Sequence, residues 1–184
     1  MTTLITQNSL LLNKLLEFYN KDGNMEKILP IINGESLVSL RLIDWFATNY
    51  SKKNYTVYNL ELGGVEKRFK VYIDYKLKLK AYSKKRFDPF CRWERINIPY
   101  KNDTYIQTTI GQLNFFRWAL ENKILDYIEK NLVQINNDMN KRNSTAKNRK
   151  EKSTTKTRKK REELSISASK SIKKEQVEII VDFK

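Results

Sequence analysis

The chain has 184 residues, with 36 Lys+Arg against 21 Asp+Glu, no His, one Cys, five Gly and three Pro, for a net charge of +15. Without His there is no Ser-His-Asp or Cys-His catalysis and no His metal ligand; one Cys makes neither an intramolecular disulfide nor a Cys-based zinc site. The few glycines form no Gly-rich phosphate cradle, while a charge of +15 points to a polyanionic partner.

Residues 8–20 predict a helix, capped by Asn8 or Ser9, with Leu11, Leu12, Leu15, Leu16 and Tyr19 on one broad face. Lys21-Asp22-Gly23-Asn24 ends it. Residues 25–33 hold Pro30 and read as a short helix or an extended link. Gly34-Glu35-Ser36 opens a second helix, in which Leu37, Leu40, Ile43, Asp44 and Ala47 follow helical spacing. Asp44 lies inside that apolar stripe, so a Lys or Arg partner is expected beside it.

Tyr55–Leu62 and Lys67–Asp74 alternate around Gly63-Gly64, which predicts a β-hairpin. The run from Lys76 to Arg86 follows. As a helix it would spread its lysines around the axis; its Lys-Leu alternation instead predicts a strand and then a loop, with Lys76, Lys78 and Lys80 on one face and Leu77, Leu79 and Ala81 on the other. Asp88-Pro89-Phe90 punctuates. Arg92–Tyr100 and Thr104–Thr108 predict a second hairpin around Lys101-Asn102-Asp103. Thr109 then caps a long helix from Ile110 to Ile135, with Leu113, Phe116, Leu120, Ile124, Ile128 and Leu132 on one face. Its aromatics, Phe115, Phe116, Trp118 and Tyr127, are read as core. The sum is an α+β fold: a small antiparallel sheet flanked by helices, a long C-terminal helix, then a disordered basic tail.

The charge divides the chain into three parts. Residues 1–140, the folded domain, carry 21 basic and 15 acidic side chains; residues 141–174 carry 14 basic and 3 acidic; residues 175–184 carry one basic and three acidic. The middle part has no aromatic residue and few large apolar ones, so it is expected to stay disordered and to act as a polyanion-binding arm. Its Arg158-Lys159-Lys160-Arg161 cluster has the composition of a nuclear import signal. The last part, with Gln176–Phe183, is β-prone: a strand added to the domain, or a peptide for the sheet edge of another viral protein.

Function is expected to centre on residues 67–95, where cations and aromatics interleave. The candidate nucleic-acid contacts there are Lys76, Lys78, Lys80, Tyr82, Lys84, Lys85, Arg86, Arg92, Trp93 and Arg95, joined by Arg158, Lys159, Lys160 and Arg161 of the tail. Cations meet phosphates and aromatic faces stack on unpaired bases. The bland alternative is a half-buried sheet with inward aromatics and a solvated lysine face.

The blocks LRLIDWFATNYSKK, YSKKRFDPFCRWERI and TTIGQLNFFRWALENKILDYI resemble a small protein family of nucleocytoplasmic large DNA viruses (mimivirus- and phycodnavirus-like) that has no established activity. Where that family continues Arg-Arg-Glu-Arg, this chain has Arg92-Trp93-Glu94-Arg95. The resemblance implies a viral protein, made for a viral factory or virion, and supplies no mechanism.

The leading expectation is a non-enzymatic nucleic-acid binder, DNA or RNA, in viral genome packaging or transcription, with no cofactor and no metal. A virion structural or adaptor protein is the alternative. An enzyme reading is weaker: Asp74-Tyr75-Lys76 resembles the second half of a PD-(D/E)xK nuclease pattern, with Glu61 upstream as a second carboxylate for Mg²⁺. The N-terminus lacks a basic region followed by an apolar core, and no apolar run approaches the roughly 20 residues of a spanning helix. The expected location is therefore intracellular, in the host nucleus or viral factory, or in the virion.

Overall fold

The structure is a computed structural model and describes residues 6–91, 94–100, 104–152 and 173–176. Helix α1, Gln7–Tyr19, begins slightly ahead of its predicted start because Thr6 is the cap: its hydroxyl accepts from the Ser9 N–H at 3.2 Å. Tyr19 is buried at its end, and the phenol donates to the Leu113 carbonyl at 2.6 Å. The Pro30 segment takes the helical option, as α2, Asn24–Asn33. The helix predicted from Ser36 starts later. Ser39 caps α3, Leu40–Trp45, and Leu37 is left 87% exposed. A π-helical stretch, Phe46–Tyr50, interrupts it before α4, Ser51–Lys53. The Thr48 and Ser51 hydroxyls donate back to the carbonyls of Asp44 and Ala47, at 2.7 and 2.9 Å, and so compete with the helix ladder at this point.

Strands β1, Val57–Leu62, and β2, Val65–Lys70, form the first predicted hairpin, with Leu62 opposite Val65. Gly63 and Gly64 have φ of 61° and 81°, the paired positive values that a two-residue turn between twisted strands requires. The next expectation is overturned. β2 stops at Lys70, and the segment predicted to be a lysine-faced strand is helix α5, Val71–Phe87. The physical reason lies in the apolar positions. Val71 and Tyr75 are buried, and Leu79 and Tyr82 are partly buried against the core. Those spacings of four, four and three belong to one helix face. A strand would send Tyr75 and Tyr82 to opposite sides, and Leu77, which its alternation would bury, is 60% exposed. Ser83 kinks the helix with φ 63° and ψ 166°.

The second predicted hairpin forms as β3, Arg95–Tyr100, and β4, Thr104–Thr109, with Ile98 opposite Ile106 and both buried. β5, Lys173–Gln176, pairs antiparallel with β4, so this sheet has the order β3-β4-β5. The fold is α+β as predicted, but its strands form two separate antiparallel sheets rather than one. Residues 177–184, most of the β-prone end, lie outside the described residues.

Thr109 caps α6, Ile110–Glu121, as expected, accepting from the Gln112 N–H at 3.2 Å. The single long helix predicted from there is three: α6, α7, Ile124–Lys130, and α8, Leu132–Lys152. Both breaks fall at asparagines. The Asn122 amide donates to the Trp118 carbonyl at 2.7 Å and the Asn131 amide to the Tyr127 carbonyl at 2.9 Å, each beside a 3.2 Å bond from the same residue's backbone N–H, so that each asparagine closes the last turn of its helix. Lys123 has φ 51°, which turns the chain between α6 and α7. α8 continues into the segment expected to be disordered, so that segment is helical as far as Lys152. Residues 153–172 lie outside the described residues.

An aromatic cluster forms where α5 meets α6. Trp118 lies 5.7 Å, centroid to centroid, from both Tyr75 and Phe87, and Phe115 lies 5.9 Å from Phe87. Phe115, Phe116 and Trp118 are buried, as their core reading required. Gly111 lets the helices approach: a Cβ there would lie 3.0 Å from the Lys85 and Asp88 carbonyls. Among the described residues, no helix is long and apolar enough to cross a membrane.

Candidate nucleic-acid interface

The helical form of residues 71–87 redistributes the candidate cations. Lys76 and Lys80 stand one turn apart on the exposed side of α5, in line with the exposed Ile73 and Leu77, and Lys84 follows beyond the Ser83 kink. None of the three makes an ion pair or side-chain hydrogen bond with the described residues. Lys78 is half-buried on another side of the helix.

Three other candidate cations, Lys85, Arg86 and Arg95, are engaged by other side chains of the chain. Lys85 is ion-paired with Glu94. The Arg86 guanidinium donates to Asn8 Oδ1 at 2.7 Å and to Gln7 Oε1 at 3.1 Å, joining α5 to the start of α1. The Arg95 guanidinium donates to Gln107 Oε1 at 2.9 Å across the β3–β4 ladder. Arg92, Trp93, Arg158, Lys159, Lys160 and Arg161 lie outside the described residues.

The predicted stacking surface is also rearranged. There is no sheet under residues 76–86 to present it. Tyr82 is half-buried and stacks on Phe87 at 6.1 Å, with an interplanar angle of 17°. Tyr75, Phe69 and Phe87 are buried. These rings pack the interior, as the bland reading had it.

In their place the exposed side of α5 borders a groove that sequence reasoning did not single out. One part is lined by Tyr72, Ile73, Lys76, Leu77 and Lys80. It shares Tyr72 and Ile73 with a second part, of about 400 Å³, that reaches Lys52, Tyr55, Val57 and Lys70 where α4 passes into β1. Lys52 holds its ammonium 5.7 Å from the centre of the Tyr72 ring. Four lysines thus line a shallow apolar and aromatic floor. The sequence carried one usable sign of this place: Lys52-Lys53-Asn54-Tyr55 reads as a helix end with a tyrosine in the slot that glycine usually fills.

Acidic groups lie elsewhere. Asp74 accepts from the Trp118 indole N–H at 2.6 Å, which fixes α5 to α6. Lys76, its companion in the nuclease pattern, is two positions on and lines the groove instead; residues so spaced on a helix do not face each other. Among the described residues, no three Asp, Glu or Cys side chains gather closely enough to hold a metal ion. Asp44 corrects a prediction: it has no Lys or Arg ion-pair partner among the described residues. Burial, and then the nearby Asp88 carboxylate, push its pKa up to about 7. Cys91 is buried and free.

Residues 3–184, almost the whole chain, match the Family of unknown function (DUF7197). The chain belongs to that family. It is also 45% identical over 148 residues to "Uncharacterized protein L507" of Acanthamoeba polyphaga mimivirus, a match that covers 77% of this chain and 56% of the relative. The chain therefore spans little more than half the length of that relative. No solved structure matches it. The giant-virus resemblance carried by the three sequence blocks stands, in a family with a mimivirus relative and no established activity.

Proposed function

We propose that this chain is a non-enzymatic nucleic-acid-binding protein of a giant DNA virus, serving genome packaging or transcription, and that it holds the phosphate backbone along the exposed side of α5. One observation carries the reading. Lys76, Lys80 and Lys84 are exposed and lack a partner among the described residues, whereas their neighbours Lys85 and Arg86 are engaged internally. Unneutralised ammonium groups in a row suit a polyanion, whose bound counterions they displace. Lys52 and Lys70 continue the positive border across the groove. The basic sequence beyond Lys152 would add affinity without sequence information.

The test is a salt titration of oligonucleotide binding. Wild-type protein should show a steep fall of log K with log salt. Changing Lys76, Lys80 and Lys84 together to Gln should flatten the slope by about one unit per lysine, with the melting temperature unchanged. A variant with Arg158, Lys159, Lys160 and Arg161 changed to Gln, which leaves β5 in the chain, should bind more weakly yet still respond to the three changes. Equal binding by wild type and the triple variant would sink the α5 reading.

A second reading, an adaptor that docks a viral protein, draws on Ile73 and Leu77, which are 53% and 60% exposed among those lysines. Binding that tolerates high salt but is lost in Leu77→Ser would favour it.

A further inference from the structure

Tyr55 is the most conspicuous residue of the groove. It is 86% exposed and has φ 47°, in the left-handed region that favours glycine. Its backbone is pinned on both sides. The Asn54 N–H donates to the Tyr50 carbonyl at 2.9 Å, the Thr56 N–H to the Ser51 carbonyl at 3.1 Å, and the Val71 N–H to the Thr56 carbonyl at 3.3 Å. The bond from Thr56 back to Ser51 is the long bond of a Schellman-type helix end, and Tyr55 occupies the slot where glycine is the stable choice. A bulky ring placed there gains no burial to offset the strained backbone. Strain without packing compensation, beside a groove, points from the outlier to a use for the ring.

The groove says what that use is. Its floor is apolar and aromatic, formed by Tyr72, Ile73 and Val57. The part of it beside Tyr55, about 400 Å³, falls in the range of small-ligand clefts. Every charged residue that lines it is a lysine. Phosphates on either side of a base would meet Lys52 and Lys70 at one end and Lys76 and Lys80 at the other. An acidic peptide would meet the same charges but would leave Tyr55 without a flat partner. A duplex keeps its bases stacked and out of reach of a side chain at the rim.

We propose that Tyr55 and the groove beside it receive an unpaired nucleobase, so that the protein prefers single-stranded to double-stranded nucleic acid. This deepens the nucleic-acid reading above and rests on it. Tyr55 supplies one stacking face at the rim and Tyr72, with Lys52 held over it, the floor.

Fluorescence anisotropy on the full chain tests this, with a labelled single-stranded DNA, its RNA counterpart and the matching DNA duplex. Wild type should bind a single strand more tightly than the duplex. Tyr55→Gly should weaken single-strand binding on the order of tenfold and leave duplex binding unchanged. Because glycine suits the backbone, that variant should melt no lower than wild type, which separates lost stacking from lost folding. Tyr55→Phe, which keeps the ring, should retain the preference. Unchanged single-strand affinity in Tyr55→Gly, or an equal loss on single strand and duplex, would overturn the base pocket while leaving the lysine-dependent binding in place. If wild type bound none of the three nucleic acids, both readings would fall.

Discussion

The two sides of α5 carry the same kind of residue and put it to different uses. Toward the C-terminal end of the helix, Lys85 is paired with Glu94 at the surface, and on the inner side Arg86 is bonded to Gln7 and Asn8 while Asn114 donates to the Arg86 carbonyl at 2.9 Å. On the outer side, Lys76 and Lys80 reach solvent beside a groove. A count of charges treats these cations alike. Their partners separate them: some hold α5 in place, and the others remain able to meet something from outside. The same division runs through the aromatics, with Tyr75, Tyr82 and Phe87 packed inward and Tyr55 standing at the rim.

Breaking the inner side should cost the most. Gly111 faces the Lys85 and Asp88 carbonyls so closely that a methyl group would lie 3.0 Å from each and push rigid backbone aside. Gly111→Ala is expected to destabilise the fold by about 1–3 kcal/mol, the usual range for overpacking a rigid contact, seen as a lower midpoint in urea. The salt slope of nucleic-acid binding by the folded variant should be unchanged.

Asp44 comes next. Its carboxyl is held above the ordinary range by burial and by Asp88, so the native state keeps a proton that the unfolded chain releases. The sign is then fixed. Its contribution to stability is most favourable below about pH 4, falls as pH rises toward 7, and is flat above that. Asp44→Asn should remove that fall. At pH 8 it should be more stable than wild type by about 1–2 kcal/mol, after allowance for partial solvent screening. Denaturant midpoints at pH 5 and pH 8 check this, and a wild-type profile already flat over that interval would refute it.

The contrast between the two sides also explains how much could be read from the sequence. Both hairpins were legible, because alternation bounded by Gly63-Gly64 or by a polar turn has few other solutions. The cap at Thr109 was legible for the same local reason. Residues 76–86 misled because Lys-Leu-Lys-Leu-Lys matches a strand while the tertiary anchors, Val71, Tyr75, Leu79 and Tyr82, match a helix, and burial decided between them. The long helix was divided at two asparagines, residues that only modestly disfavour a helix interior and that here close a turn with side chain and backbone on one carbonyl. Of the candidate surface, Lys76, Lys80 and Lys84 could be named from composition, though not their common row on one helix side. The engagement of Arg86 and Arg95 was not visible, since it depends on Gln7, Asn8 and Gln107, which the fold brings near.

The smallest effects on stability sharpen the comparison most, because each side should respond in only one assay. Arg86→Met keeps most of the side-chain bulk but removes two hydrogen bonds to α1. It should cost about 1 kcal/mol and leave the salt slope of binding intact. Lys80→Met removes a charge that no described residue neutralises. Surface changes of that kind stay within about 0.5 kcal/mol, so the melting transition should hardly move while the salt slope falls by about one. Measuring both variants by thermal melting and by salt titration gives four results. The two-sided view of α5 requires the two losses to fall in different assays. If Arg86→Met flattened the salt slope, Arg86 would leave its α1 partners to meet the ligand. If Lys80→Met instead lowered the melting temperature, Lys80 would belong to the scaffold, and the outer row would lose the residue that links the groove to Lys84.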